Sequence, residues 1–443
     1  MQVYKFGGAS VKDADAVRNV TSILKENDFN EKVVVISAMG KTTNELENVV
    51  NLYYAELTGN NSGTGAVISP LSSGEGQEAR QWSKALDAIF EKHLTVMKAL
   101  YHNGAFDKAV EDVKVLIDGA RKFLSENTSR NYNYIYDQVV SIGEYISTTI
   151  VSDYANSIGL KNTLLDVKQV LFTDNAYTEG KVDFKKTEAA ILGKVSELVK
   201  EGFVITQGFV GCTPEGFATT LGREGSDYTA SIFAYSLNAE RMTVWKDVEG
   251  IMNADPKEFP DAQFLSEITY HEAIEMTYYG ASVIHPKTIK PIQNKNIPLE
   301  VRSFVNSRKR GSVISANANT NFLPPIIIFK RGQVLLSFSA KDFSFIAEEH
   351  LSKVFATFAE NRLRINMMQN AAISFSIAVD FKKEKIENII EQLGTDFSIT
   401  RNDNLSLLTI RHYNQGIIDK LTKDKDILVR QLSRTTMQVL MRE

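Results

Sequence analysis

Leu221-Gly222-Arg223-Glu224-Gly225-Ser226-Asp227-Tyr228-Thr229-Ala230 reads as a glycine-rich loop running into a helix. Ser226 or Asp227 is placed to N-cap that helix, and Ala230, Phe233, Ala234 and Leu237 then fall on one face. A glycine loop feeding a helix N-terminus binds anions, because free N–H groups and the positive end of the helix dipole point the same way. Arg223 adds a fork of donors suited to a carboxylate or a phosphate. At the other end of the chain, a short apolar strand ends in Lys5, followed by Gly7-Gly8 and the hydroxyl of Ser10. Glycine lets backbone approach a ligand closely, and lysine supplies a point charge for phosphate. Taken alone, each segment reads better as an ordinary loop-to-helix join or a solvated edge lysine. Together they call for chemistry on phosphate or carboxylate.

The elements that must position these groups alternate between strand and helix. Lys32 to Ala38, Phe203 to Val210 and Met242 to Trp245 are nearly continuous apolar runs, the kind buried in a parallel sheet. Gln77 to Tyr101 and Ala109 to Glu126 are helical in character. Ile142, Ile146 and Ile150 recur at helical spacing around Glu144, and Gly159 can close that helix. This alternation predicts an α/β fold, a mainly parallel sheet with helices on both faces. Asn60 to Gly76, rich in Gly, Ser and Asn, is expected to be a mobile loop. Asn306 to Pro325 is polar and ends in Pro324-Pro325, as an interdomain connection would. The rhythm then changes to strand, helix, strand, strand, helix from Gln333 to Leu393.

A chain of 443 residues is expected to form two or three domains. Its net charge of −4 gives no sign of a nucleic-acid surface. One cysteine, Cys212, excludes an internal disulfide framework and fits a reducing cytoplasm. Met1 leads straight into a strand without a signal-peptide pattern, and no apolar run approaches the ~18 residues that span a bilayer. A cytoplasmic protein without membrane or nucleic-acid partners is therefore expected.

The chain resembles the aspartate kinases among the amino-acid kinases. Lys5-Phe6-Gly7-Gly8-Ala9-Ser10 is similar to their N-terminal Lys-Phe-Gly-Gly-(Thr/Ser)-Ser signature. In the family's order follow Val35-Ile36-Ser37-Ala38-Met39 with Thr42-Thr43-Asn44, then Ser141-Ile142-Gly143-Glu144, then Ile205-Thr206-Gln207-Gly208-Phe209. After the glycine loop come Val244 to Gly250, Asn253-Ala254-Asp255-Pro256, and Tyr279 to Pro286. The likeness runs from Met1 to about Ser303, and more weakly to the C-terminus.

It implies a three-layer αβα kinase domain over 1–303, a linker over 304–330, a first ferredoxin-like ACT module over 331–405 and a short or incomplete second one over 406–443. It implies that ATP with Mg²⁺ phosphorylates the side-chain carboxylate of L-aspartate to 4-phospho-L-aspartate. That is the first step toward lysine, threonine and methionine. By the same resemblance Lys5 acts on the transferring phosphoryl group, Arg223 clamps a substrate carboxylate and Asp227 organises the centre. Glu144 pairs with the amino group, with Ser37 and Thr43 nearby. Gly7, Gly8, Ser10, Gly225, Ser226, Lys246, Asp247, Gly250, Met252, Asp255, Lys257 and Ser282 form the nucleotide side; no metal ligands are assigned. A homodimer through the ACT modules, and an amino-acid effector bound to them, are also implied.

Several residues depart from the pattern. Glu224 stands where the family usually has Gly, and points to solvent or ligates Mg²⁺ through water. Ser282 replaces a Lys and Lys246 a Thr, so Lys246 is read as restoring the charge lost at Ser282. Met252 replaces a frequent Tyr. Asn366 and Ala372, in the run Ile365 to Ala372, remove two carboxylates of the lysine-sensing members, so weak or absent lysine inhibition is expected. These departures keep two alternatives open: a kinase for a glutamate-type substrate, or a catalytically inactive regulatory paralogue. Gly40-Lys41-Thr42 lacks the upstream glycine of a Walker loop, and His271-Glu272 lacks the second histidine of a zinc protease. His285, before Pro286, is read as a cap or packing residue.

Overall fold

The computed structural model describes residues 1–27, 31–59, 80–101, 105–281, 284–319, 323–342 and 344–442. The expected mobile loop at Asn60 to Gly76 lies outside them. The chain divides into two compact units. The first comprises Met1–Ile251, Ser266–Tyr270 and Ile284–Asn319; the second comprises Met252–Leu265, His271–Val283 and Thr320–Glu443.

The first unit is built on an eight-stranded sheet. Its order is Asn162–Leu165, Phe203–Gln207, Lys32–Ile36, Gln2–Phe6, Arg241–Lys246, Leu299–Ser303, Ser312–Ser315 and Glu267–Thr269. Neighbouring strands run parallel except where Leu299–Ser303 meets Ser312–Ser315. The central strands are buried on both faces, which is why they carry unbroken runs such as Val33-Val34-Val35-Ile36. Alternation splits each run between the faces. Tyr4, Phe6, Val34, Ile36, Phe203, Ile205 and Trp245 join one core, which continues into helices Ala14–Glu26, Thr42–Thr58 and Ile142–Ser157. The opposite face is covered by helix Gly225–Ser236, buried almost all round. Because Gln2–Phe6, Lys32–Ile36, Phe203–Gln207 and Arg241–Lys246 run parallel, their carboxyl ends open at one edge of the sheet. Lys5, Ser37, Gln207 and Lys246 all lie there.

The second unit holds a six-stranded antiparallel sheet, ordered Ile365–Asn370, Phe375–Asp380, Ile326–Ala340, Phe397–Arg411, Thr436–Arg442 and Asp426–Leu432. Helices Glu348–Glu360 and Lys383–Leu393 pack on Val334, Leu336, Phe338, Ile377 and Val379. Helix Gln415–Thr422 packs on Ile327, Leu408, Ile410, Met437 and Val439. The order of elements is that of one complete βαββαβ module followed by a shorter one. The segment read from sequence as a connection, 304–330, contains structure: Ser312–Ser315 is a strand of the first sheet, and Ile326 opens a strand that runs to Ala340. Pairing of Ile326 to Lys330 with Leu407 to Arg411 supplies the short module with an additional strand.

No described helix is long and apolar enough to cross a membrane. Glu272, rejected above as a zinc-site residue, has a structural partner instead. Arg411, almost fully buried, donates to Glu272 Oε1 and Oε2 at 2.6 and 2.9 Å and to Glu275 Oε2 at 2.6 Å.

Candidate active site

Two tight turns build the floor of the site. Gly8 opens a 3₁₀ turn after Lys5, and Gly40 N–H donates to Gly8 O at 3.0 Å. A Cβ on Gly8 would lie 2.7 Å from Ala38 O and 2.9 Å from Gly40 O, so no larger residue lets these turns stack. Beyond them the backbone of Gly7 leaves the space beside the Lys5 ammonium open.

Lys5 Nζ lies 2.6 Å from Asp227 Oδ1, with both side chains largely buried. Asp227 stands in the first turn of helix Gly225–Ser236, where the helix dipole favours an anion. The N-cap is neither Ser226 nor Asp227. It is Glu224, at φ 53°, without a side-chain cap bond. The carboxylate of Asp227 is committed to Lys5, which leaves the first N–H groups of the helix uncapped by its own side chains. Glu224 is exposed and lines the site cavity, and it also has a partner that the sequence did not indicate. Its carboxylate accepts from His285 N–H at 3.0 Å. His285 in turn caps helix Pro286–Asn294, accepting from Lys287 N–H at 3.2 Å, as its sequence context predicted. Lys287 Nζ donates to Leu221 O at 2.8 Å, so the glycine loop is fastened to that helix at two points.

Glu144 lies in the first turn of helix Ile142–Ser157, 3% exposed. Gly143 admits this helix against Ala38, Thr42 and Leu46. Burial pushes the Glu144 carboxyl up to about 8, although the Ala38 N–H and the charge of Lys5 pull the other way. Its Oε2 has no hydrogen-bond partner. A buried carboxylate oxygen without a donor is costly, and it is answered best by a cation from outside the chain.

A cavity of about 500 Å³ brings these groups together. Lys5, Gly8, Ser37, Thr43 and Glu144 line one side; Arg223, Gly225, Ser226 and Asp227 line another. The remaining sequence-predicted residues are not on its wall. Gly7 and Ser10 belong to the turn behind it, and Ser10 Oγ reaches Trp245 O at 3.5 Å. Lys246 ends the neighbouring strand, whose Trp245 pairs with Phe6, and Asp247 and Gly250 follow it. Met252, Asp255 and Lys257 belong to the second unit, where Asp255 Oδ1 accepts from Lys257 N–H at 2.9 Å. Ser282 lies outside the described residues. Sequence reasoning missed Glu47, Tyr132, Tyr136, Thr178 and Thr220, all on the cavity wall, where Phe209 and Gly222 of the quoted motifs also lie. It also missed Asp137, whose signal was an acid set among Ile135, Val139 and Val140 on a helix.

Residues 1–303 match the family model "Amino acid kinase family". The chain is 30% identical over 410 residues to aspartokinase 2, chloroplastic, of Arabidopsis thaliana, covering 88% of this chain and 70% of that protein. It is 28% identical over 382 residues to lysine-sensitive aspartokinase 3 of Escherichia coli, covering 85% of this chain and 78% of that one. In fold it is similar to E. coli aspartokinase III crystallised with lysine and aspartate, with a TM-score of 0.79 at 24% identity over 99% of this chain and 95% of that one. The same E. coli enzyme in complex with aspartate and ADP gives a TM-score of 0.76 at 24% identity over 100% and 96%. With the signature residues of the glycine loop, the lysine turn and the buried glutamate gathered at one sheet edge, the chain belongs to the aspartokinase branch of the amino acid kinase family.

Proposed function

We propose that this protein is an aspartate kinase, transferring the γ-phosphoryl group of ATP to the side-chain carboxylate of L-aspartate to give 4-phospho-L-aspartate, the entry step to lysine, threonine and methionine. The observation that carries the reading is a buried Glu144 with one unsatisfied oxygen in the same cavity as Lys5 and Arg223. A ligand matching that cavity carries one ammonium and more than one anionic group, as an amino dicarboxylate beside a polyphosphate does. The aspartate and ADP named for the E. coli relative support the same assignment.

The acceptor carboxylate is ionised at neutral pH and needs no general base. The obstacle is the approach of two anions, so the site must supply positive potential and alignment. Arg223 is suited to hold the α-carboxylate bidentately, and Glu144 the ammonium. Lys5 neutralises charge on the transferring group, with Asp227 fixing the direction of its ammonium. The N–H groups at the start of helix Gly225–Ser236 face the phosphates with the dipole behind them. Mg²⁺, held chiefly by the nucleotide phosphates, would neutralise further charge; Asp227 is the carboxylate best placed to meet it.

Trapping with hydroxylamine tests the reading. Aspartyl hydroxamate is expected from aspartate, ATP and Mg²⁺, and none from glutamate. Glutamyl hydroxamate alone would reassign the substrate, and no product from either would leave the inactive paralogue.

Lys246 ends the strand beside that of Lys5 and is proposed to serve the nucleotide. Lys246→Thr is expected to raise the KM for ATP about tenfold. An unchanged KM would remove Lys246 from the site. In the second unit, Asn366 has little capacity left for an effector. Its Oδ1 accepts from Lys330 at 2.9 Å, and its Nδ2 donates to Gln333 and Asp380, both at 2.8 Å. Lysine is therefore expected to inhibit weakly or not at all, and strong inhibition in a steady-state assay would contradict this. A homodimer is proposed through the outer strands of the second unit, where Met368 and Leu432 are about half exposed. A monomeric mass by light scattering would refute it.

A further inference from the structure

Asp137 has no exposure to solvent, and its carboxylate is fully engaged. Oδ2 accepts from Thr178 N–H at 2.8 Å and Thr220 N–H at 2.9 Å, while Oδ1 accepts from the Thr220 hydroxyl at 2.7 Å. The next residue, Gln138, accepts from Ala218 N–H at 3.1 Å and donates to Ala218 O at 2.8 Å. Consecutive side chains of helix Tyr132–Val140 thus hold both ends of the short strand Ala218–Thr220. Gly180 N–H donates to Thr220 O at 2.9 Å, tying the Thr178 turn to the same residue.

Thr178 and Thr220 both face the cavity. Thr178 has φ 70°, a conformation that a β-branched residue rarely adopts and that its surroundings must enforce. Three residues beyond Thr220 stands Arg223. Between them Leu221 is buried, with its N–H bonded to Phe209 O at 2.9 Å, and Gly222 turns the chain at φ 73°. Downstream, Gly225 begins the buried helix. The main chain bearing Arg223 is therefore suspended between that helix and the anchor made by Asp137. A buried carboxylate is destabilising as mere packing material. Burial pushes this one up to about 6 despite its three hydrogen bonds.

We propose that Asp137 is a positioning residue for the acceptor substrate, holding Thr178 and Thr220 so that Arg223 meets the substrate carboxylate. It touches no reacting atom and acts through the main chain at Thr220. This rests on the aspartate kinase reading above.

Steady-state kinetics of Asp137→Ala and Asp137→Asn, with aspartate and ATP varied separately, test it. Asp137→Ala is expected to raise the KM for aspartate roughly 10- to 100-fold while leaving that for ATP within about twofold, since a small displacement of a clamping residue weakens only what it clamps. Asp137→Asn is expected to recover most of the loss. Its amide oxygen can accept both N–H groups while its nitrogen donates to the Thr220 hydroxyl. An Asp137→Ala enzyme with a lower melting temperature but an unchanged KM for aspartate would overturn the inference. So would an equal rise in both KM values, which marks general loosening. If Asp137→Ala does not fold, Asp137→Ser, able to accept one of the bonds, carries the same comparison, and an unchanged KM for aspartate again overturns it. Wild-type protein without aspartate-dependent turnover would refute the kinase reading instead, so the two failures are distinguishable.

Discussion

Glu144→Gln is expected to lower kcat/KM for aspartate by roughly 10²- to 10³-fold, the scale set by removing one partner of a buried charge pair. The same substitution is expected to raise the melting temperature of the ligand-free protein by about 5 °C. The two effects have one cause. Burial lifts the Glu144 carboxyl from its ordinary value of 4.5 to about 8, so the folded state holds this proton more tightly than the unfolded state. The sign follows by linkage. The stabilising contribution is complete below the unfolded value and is lost as pH rises through about 8. A neutral amide has no such loss, so the gain of Glu144→Gln is expected to grow between about pH 6 and pH 8. A substrate ammonium beside the unsatisfied Oε2 would bring the carboxyl back down, and aspartate is accordingly expected to stabilise the wild type more at the higher pH. Differential scanning fluorimetry with and without aspartate reads both slopes. A Glu144→Gln protein that is less stable than wild type at the higher pH, or that keeps wild-type kcat/KM, would contradict the assignment.

Lys5→Met is expected to reduce kcat by about 10³-fold, the magnitude lost when a preorganised donor to a developing charge is removed. The effect is larger than one lost contact because Asp227, 4% exposed, would be left as an unpaired anion where a triphosphate must approach. Lys5→Arg is expected to rescue little, since a planar guanidinium does not fit a point contact of 2.6 Å. Breaking a buried pair also destabilises the fold. The double variant Lys5→Met, Asp227→Asn separates the contributions: stability is expected to return and turnover is not. Single-turnover measurement with saturating ATP gives kcat for the chemical step. A loss smaller than about tenfold would remove Lys5 from that step.

The glycine loop, the lysine turn and Glu144 were legible because their chemistry is written in adjacent residues. What lay hidden were pairings across long stretches of chain. Nothing near Asp227 in sequence indicates that its carboxylate pairs with Lys5; local pattern offers it, with Ser226, as a helix cap, and only the family resemblance places it at the centre of the site. Glu224 was an anomaly in sequence and is a tether in structure, because its partner is a main-chain N–H at His285. Asp137 was passed over for the same reason, as its partners Thr178 and Thr220 come together only through the fold. In the second unit, the sequence pattern starts the strand at Gln333, after a connection over 304–330. The strand instead continues from Ile326 to Ala340, with a register shift and Gly332 at φ 67° absorbing the interruption. Local pattern marked a stop that a bulge was able to bridge.

The proton balance of aspartate binding tests most directly whether Glu144 receives the substrate ammonium. Calorimetric titration at about pH 7, repeated in buffers of different ionisation enthalpy, counts the protons released. Wild-type protein is expected to release close to one proton per aspartate bound, and Glu144→Gln none. Tight binding of aspartate to the wild type without proton release, or the same release from Glu144→Gln, would place the ammonium elsewhere.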